Sequence, residues 1–259
     1  MKKGILVTSF GTSHSDTRKK TIEAIENLVI EKYGKECFER AFTSNIIRKI
    51  IQKNWQIEVF CIILRLEVIL KEMFILFLKK ALKQRGFSEV ITMSLHILAG
   101  IEYSKLDDTY GKITEPLLAT DSDYEEIVQN NEFNDLENND AIVFMGHGSD
   151  HEEDLIYKTL QEKYNSSGKN NIFIATVEGK ITLDNVLEKL SKTNFKNILL
   201  RPLMIVAGEH AKNDMASDEE DSWKSILEKN GYNVTVSLKG MGEYDLIQKM
   251  FMKKLEKVL

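Results

Sequence analysis

Short apolar, β-branched runs alternate with helical patterns along this chain, and that alternation constrains its fold more than any other feature. ILVTSF near the start is followed by a stretch from Asp16 to Tyr33 in which Ile22, Ile25, Leu28 and Val29 share one helical face. EVITMSL, AIVFMG, IFIATV, NILLRPLMIV and YNVTVSL read as further strands. Helical patterns such as Leu183, Val186, Leu187 and Leu190 separate them, and a last helix is expected from about Glu243, with Leu246, Ile247, Met250, Phe251 and Leu255 turned inward. Strands and helices in this order predict an α/β protein with parallel sheets covered on both faces.

With 259 residues the chain is long enough for two domains. The polar stretch NNEFNDLENND at 130–140 has the composition of a linker, which places domains at 1–132 and 133–259. The halves echo each other. SLHILAGIEY at 94–103 matches PLMIVAGEHA at 202–211, in register through Ala99-Gly100 and Ala207-Gly208, so that Glu102 falls opposite His210. LVTSFGTS at 6–13 likewise matches IVFMGHGS at 142–149. A duplicated pair of Rossmann-like βα domains would face one interdomain cleft, where ligand pockets commonly lie.

Three donors stand directly after strand patterns of the second half: His147 in MGHGSD, Glu178 in VEGK and His210 in GEHAKND. The carboxyl ends of parallel strands are where open α/β sheets hold ligands, so these residues are expected to line one crevice. Two imidazoles and a carboxylate suit a borderline divalent ion such as cobalt, nickel, iron or zinc, and the absence of a nearby thiolate favours a site that can release its metal. His151, four residues past His147, has the spacing of a further donor or supporting partner. His96 reads equally well as a core or a cleft residue, and His14 as a turn residue bonded to backbone. Ser217 and Glu220 have capping-box spacing ahead of Trp223, with Gly231 as the residue closing that helix. The intervening acids, Asp218 to Asp221, read as helix N-terminal charges rather than a metal trap.

Composition excludes several classes. Lys plus Arg at 35 against Asp plus Glu at 40 gives net −5, which argues against a nucleic-acid surface or a polybasic membrane patch. The apolar run at 57–78 is interrupted by Arg65, Glu67, Lys71 and Glu72, too often for a spanning helix. ILV at the start is far shorter than a signal segment of about 7 to 15 apolar residues. Cys37 and Cys61 are isolated, which suggests neither a disulfide framework nor a structural zinc site and fits the reducing cytoplasm. There is no GxGxxG after a strand, no GxxxxGK[ST], no GxSxG and no HExxH, so dinucleotide, P-loop, hydrolase and zincin readings lack their handles.

ILVTSFGTS, AFTSNIIRKI, SLHILAGIEY, VFMGHGSDH, the pair Val177-Glu178 and PLMIVAGEHAKNDMASDEEDSWK together resemble the anaerobic sirohydrochlorin cobaltochelatases of cobalamin biosynthesis, class II chelatases similar to ferrochelatase. The resemblance implies two similar α/β domains around a cleft and ATP-independent insertion of Co(II) into sirohydrochlorin or its precorrin-2 form. Cobalt would be the substrate metal, with no organic cofactor. By motif, His147, Glu178 and His210 would hold the metal, His147 would also be the catalytic base, and Glu102 of GIEY would be a second catalytic acid. A nickel or iron chelatase acting on the same macrocycle, and a non-catalytic tetrapyrrole- or metal-binding protein, remain alternatives. Arg201 and Arg48 are the basic side chains nominated for the substrate carboxylates. Between Asn54 and Gly86 the chain departs from the family: an elongated apolar segment with Phe60, Ile62, Ile63, Phe74, Ile75 and Phe77 stands where a shorter, more polar connection is expected, and it reads as a homo-oligomer surface, a lid over the cleft or a locally scrambled coding region that folds poorly.

Overall fold

The computed structural model describes residues 2–44, 72–106, 108, 111–148 and 155–259. The apolar segment at 57–71, with Arg48, Cys61 and His151, lies outside the described residues. The chain divides into two compact units, Met1–Leu117 joined by Gln248–Leu259, and Leu118–Ile247.

The first unit is built on three parallel strands in the order β2-β1-β3: β1 (Lys3–Ser9), β2 (Phe38–Phe42) and β3 (Glu89–Ser94). Its helices are α1 (Ser15–Lys20), α2 (Ile22–Tyr33), α3 (Glu72–Gln84) and the single turn α4 (Ile101–Ser104). Ile5, Leu6 and Val7 of the central strand are all buried, the pattern of a parallel strand covered on both faces. Each such side chain contributes about 1.5–3 kcal/mol relative to exposure. The stretch expected as one helix from Asp16 is two, broken at Thr21, whose buried hydroxyl donates to the Thr17 carbonyl at 2.7 Å. The Thr17 carbonyl thus accepts both this hydroxyl and the Thr21 amide at 3.1 Å, and a threonine back-bond of this kind bends a helix.

The second unit holds four parallel strands in the order β5-β4-β6-β7: β4 (Ala141–Gly146), β5 (Ile172–Thr176), β6 (Asn197–Pro202) and β7 (Asn233–Val236). Helices α5 (Asp121–Gln129), α6 (Leu155–Ser166), α7 (Leu183–Leu190) and α8 (Trp223–Lys229) accompany them, while the last helix, α9 (Asp245–Val258), belongs from Gln248 onward to the first unit. Val143, Leu200, Val186, Ala207, Ala211 and Met215 share one buried cluster, so the loop after β6 is anchored in the core. The 130–140 stretch belongs to this unit. Phe133 stacks on Phe144 at 5.2 Å, and the Asn134 amide donates to the carbonyls of Ile127 and Asn130.

Both sheets place their first strand centrally, the second on one side and the third on the other. The sequence echoes fall on matching places in this scheme, one where β1 and β4 end and the other where β3 and β6 end. The capping expectation ahead of Trp223 needs correction. Ser222, not Ser217, is the N-cap of α8, its hydroxyl accepting from the Ser225 amide at 3.1 Å, while Ser217 supplies the carbonyl that accepts from the Ser222 hydroxyl. Gly231 closes α8 at φ +88°, where a side chain would strain the backbone. Among the described residues no helix is long and apolar enough to cross a membrane.

Candidate metal centre

His147 is the first residue beyond β4, and the turn carrying it is pinned to the turn carrying Glu178. The Val177 amide donates to the Gly146 carbonyl at 3.0 Å and the Glu178 amide to the His147 carbonyl at 2.8 Å, which prolongs the β4–β5 ladder past the strands. Gly148 permits this approach. Its φ is +80°, and a Cβ there would lie 2.4 Å from the Gly179 nitrogen. Gly146 has a similar reason, since a Cβ would meet the Tyr157 ring at 2.4 Å.

His210 arrives from β6. The loop after that strand is held by the Leu203 amide donating to the Met145 carbonyl at 2.7 Å, and by the 240–242 turn, whose Met241 and Gly242 amides donate to the carbonyls of Met204 and Ile205. His210 then opens a π-helical turn, Ala211–Met215, whose buried Ala211 and Met215 fix its orientation.

These three turns bring one ligand atom each from His147, Glu178 and His210 within 4.8 Å of one another. The two imidazoles meet edge to face, centroids 4.8 Å apart at 87°. Each ring is oriented by its Nδ1. That of His147 lies 2.8 Å from the Gly148 carbonyl, and that of His210 lies 2.5 Å from the Asp214 carboxylate. A carbonyl and an ionised carboxylate only accept, so each Nδ1 is the donor in its contact, and Nε2 is the nitrogen left to bind a metal. A histidine oriented through its far nitrogen by a carbonyl or carboxylate is the usual arrangement of a metal ligand. The Glu178 carboxylate stands 3.8 Å from His147 Nδ1, with both side chains substantially exposed. Metal bonds of about 2.0–2.1 Å would draw three such donors to roughly 3.4 Å of each other, so they close by about an ångström around an ion. Exposed side chains can make that movement, and a loosely held ion leaves readily.

Glu102 lies in the first unit, on α4. One carboxylate oxygen pairs with the Lys105 ammonium. Burial by itself would raise its carboxyl, but Lys105, the Thr43 hydroxyl and the nearby His96 hold it below the usual range. His96 is buried beside it, and burial lowers its imidazole to about 4. His14 is the N-cap position of α1, its carbonyl accepting from Arg18 and its amide donating to Thr12. Arg201 is not available to a ligand. It is 2 % exposed, with Nη1 donating to the Phe133 carbonyl at 3.0 Å and Nη2 paired with Glu137. Its work is to fasten the 130–140 stretch to the sheet.

Two supporting residues escaped the reading of sequence. Asp214 is four residues past His210, a spacing at which side chains on a helical turn meet, and that spacing was the available signal. Thr43 had none, because its neighbours His96 and Glu102 are more than fifty residues away.

Comparison with known proteins places this geometry in context. The family described as "Cobalt chelatase (CbiK)" matches residues 3–259. The chain is similar to a sirohydrochlorin cobaltochelatase of Salmonella typhimurium, 33% identical over 271 residues covering 100% of this chain and 97% of that protein. It is also similar to the sirohydrochlorin cobaltochelatase CbiKC of Nitratidesulfovibrio vulgaris, 30% identical over 258 residues, 94% of this chain and 86% of that protein. Among solved structures, DR2241 from Deinococcus radiodurans, described as a multi-domain protein with structural similarity to chelatases, superposes with a TM-score of 0.53 at 12% identity, covering 98% of this chain and 54% of that one. The chain spans about half of that larger protein, and the likeness concerns the fold.

Proposed function

This chain belongs to the cobalt chelatase (CbiK) family, and from that premise we propose that it inserts Co(II) into sirohydrochlorin without ATP, as a step toward cobalamin. The observation that carries this reading is the convergence of one ligand atom each from His147, Glu178 and His210 within 4.8 Å, with each imidazole held through Nδ1 by a carbonyl or a carboxylate. Cobalt is the substrate metal, gripped before it is handed on.

The balance of the reaction assigns the remaining roles. Co(II) and a macrocycle bearing two pyrrole N–H groups become the cobalt complex and two protons, with no electron transferred. A ring nitrogen bonded to metal cannot accept a proton at the same moment. His147 therefore acts in sequence, first as ligand and, once cobalt has moved to the pyrrole nitrogens, as base. Glu102, ionised through Lys105 and Thr43, takes the second proton.

The substrate's shape also finds a counterpart. A tetrapyrrole has flat apolar faces and a rim of carboxylates. In the second unit, Leu155 and Leu238 are large apolar side chains left exposed, one beginning a helix and the other following a strand. Lys180 and Lys212 stand two residues beyond Glu178 and His210 and add positive charge to those two turns in a chain that is acidic overall.

The test is an insertion assay on purified protein, run in parallel with cobalt, nickel and ferrous iron and followed by the absorption change of the macrocycle. Many equivalents converted with cobalt are expected. Stoichiometric conversion only would make the protein a carrier. Faster turnover with nickel or iron would move the metal assignment, since a His₂Glu set has no intrinsic preference for cobalt over nickel.

A further inference from the structure

The described sheets have four outer edges, at β2, β3, β5 and β7, and three of them are protected. An edge strand turns a row of backbone N–H and C=O groups outward, a template on which another chain can pair. At β5 the Gln161 side chain of α6 plugs that row, accepting from the Ile174 amide at 2.9 Å and donating to the Ile172 carbonyl at 2.8 Å. At β3 the segment 112–114 covers it: the Thr92 amide donates to the Lys112 carbonyl at 2.8 Å, and the Thr114 amide to the Thr92 carbonyl at 2.9 Å. β2 carries Glu39 and Arg40, charged side chains paired with Arg85 and Glu26. β7 has none of these devices. From Tyr232 to Leu238 its sequence, YNVTVSL, contains no charge and no proline. The Asn233 amide donates to the Lys196 carbonyl and the Ser237 amide to the Leu200 carbonyl, so alternate residues face β6, and Val234 and Val236 turn their N–H and C=O groups outward. Among the described residues no strand, segment or side chain pairs with them.

We propose that β7 is an interaction surface for a second copy of this chain, the two strands pairing antiparallel about a twofold axis at Thr235. The strand suits its own copy because its sequence is nearly a palindrome about that residue: Val234 falls opposite Val236, Asn233 opposite Ser237 and Tyr232 opposite Leu238. In that register the outward groups of Val234 meet those of Val236 as hydrogen-bonded pairs of an antiparallel ladder, and two four-stranded sheets become one. Thr235, which is exposed, meets its own copy across the axis, a favourable cross-strand pair. No charge is brought against its like, since Lys239, the charged residue that follows, falls opposite Gly231 and is paired with Glu132 within its own chain. Leu238, 42 % exposed in the single chain, gains an apolar neighbour in the second copy's tyrosine. Such an interface is isologous and closes at two chains. The inference does not depend on the reading of the metal donors.

The experiment is sedimentation velocity of the full-length protein over a range of concentrations, joined to cross-linking at the axis. The wild type is expected to move from the mass of one chain to that of two as concentration rises, because a strand of 4 residues makes a short interface. Thr235→Lys sets like charges directly opposite each other and should hold the protein at the mass of one chain throughout. Thr235→Cys, made together with Cys37→Ser and Cys61→Ser, reads the register. Residues facing each other in a non-hydrogen-bonded antiparallel pair have Cα atoms about 4.5 Å apart, within reach of a disulfide. Mild oxidation should therefore join two chains covalently, whereas Asn233→Cys in the same background, whose counterpart faces Ser237, should stay unjoined. A single-chain mass for the wild type at every concentration overturns the proposal. So does a dimer that persists in folded Thr235→Lys, which would use another surface, and so does failure of Thr235→Cys to cross-link. Should Thr235→Lys fail to fold, the cross-linking pattern decides by itself.

Discussion

The two sheets repeat one topology and equip it differently. In the second unit the exits of β4, β5 and β6 carry His147, Glu178 and His210, three donors with part-exposed side chains. In the first unit the exits of β1, β2 and β3 carry Phe10, Thr43 and His96, with Glu102 just beyond; these supply an exposed aromatic face, a buried hydroxyl and a buried imidazole beside a carboxylate. Backbone hydrogen bonds beyond the strand ends are shared, Leu95 to Thr8 in one unit and Leu203 to Met145 in the other. A parallel sheet thus fixes where a side chain stands, and on the proposed reading the residue type placed there decides whether it would hold an ion or a proton. Glu102 and His210 occupy corresponding positions in the sequence echo, and the proposed function gives them different roles.

The strongest test of that division is to remove a donor from each side. His147→Ala and His210→Ala should lower cobalt insertion by about a hundredfold or more, and for His210→Ala the loss should lie mainly in cobalt affinity. Glu102→Gln should lower kcat and leave the KM for cobalt near the wild-type value. Steady-state kinetics with cobalt varied at saturating macrocycle separates the two outcomes. If Glu102→Gln weakened cobalt binding as much as His210→Ala, the units would not differ in role.

Acid should also act on the halves unequally. His96 is buried neutral, with its imidazole lowered to about 4 from an unperturbed 6.5. Between those values the unfolded chain binds the proton and the folded one does not, so stability falls as pH drops through that window and recovers as pH rises. The full contribution is about 3 kcal/mol. Native-state hydrogen exchange at the β3 amides, compared at pH 6.5 and pH 4.5, should show the loss, and His96→Gln should flatten it. An equal response in β3 amides of wild type and His96→Gln would remove His96 as the cause.

Much of this arrangement was legible in the chain itself. β1, β3, β4, β5 and β6 announce themselves as apolar runs because each is buried on both faces. β2 did not, since FERAF is an edge strand whose Glu39 and Arg40 are satisfied by Arg85 and Glu26, partners 46 and 14 residues away. The break at Thr21 was hidden for a similar reason: threonine is compatible with a helix, and only its buried hydroxyl shows that it turns one. His147, Glu178 and His210 could be picked out because each directly follows a strand pattern or its exit turn. The contact between His96 and Thr43 could not be, because the two residues are 53 positions apart and meet only in space. Arg201 misled the reading of sequence through its charge alone; its burial against Phe133 and Glu137 is a tertiary fact.

Smaller substitutions probe how the second unit keeps its donors in place. Gly148→Ala puts a Cβ 2.4 Å from the Gly179 nitrogen at a φ of +80°, where alanine is strained. Because this contact joins the His147 and Glu178 turns, the change should cost about 1–3 kcal/mol of stability and weaken cobalt binding along with it. Calorimetric unfolding and cobalt titration of one sample would show both. A loss of stability with unaltered cobalt binding would mean that the two turns are held in register by something else.

The smallest effect belongs to Asp214. Its carboxylate accepts from His210 Nδ1 at 2.5 Å, which fixes the tautomer and strengthens the Nε2 lone pair. Asp214→Asn keeps a carbonyl oxygen that can accept the same proton, so geometry persists while the charge is lost. Asp214→Ala loses both. Outer partners of metal ligands are commonly worth about 10- to 100-fold in affinity, so cobalt binding should weaken by roughly tenfold in Asp214→Asn and approach the upper end in Asp214→Ala. Since Lys105 supports Glu102 on the corresponding segment of the first unit, Lys105→Met is the matched control, and it should raise the Glu102 titration while leaving cobalt affinity unmoved. Equal cobalt affinities in wild type and Asp214→Ala would mean that the ring of His210 is oriented by its backbone turn alone.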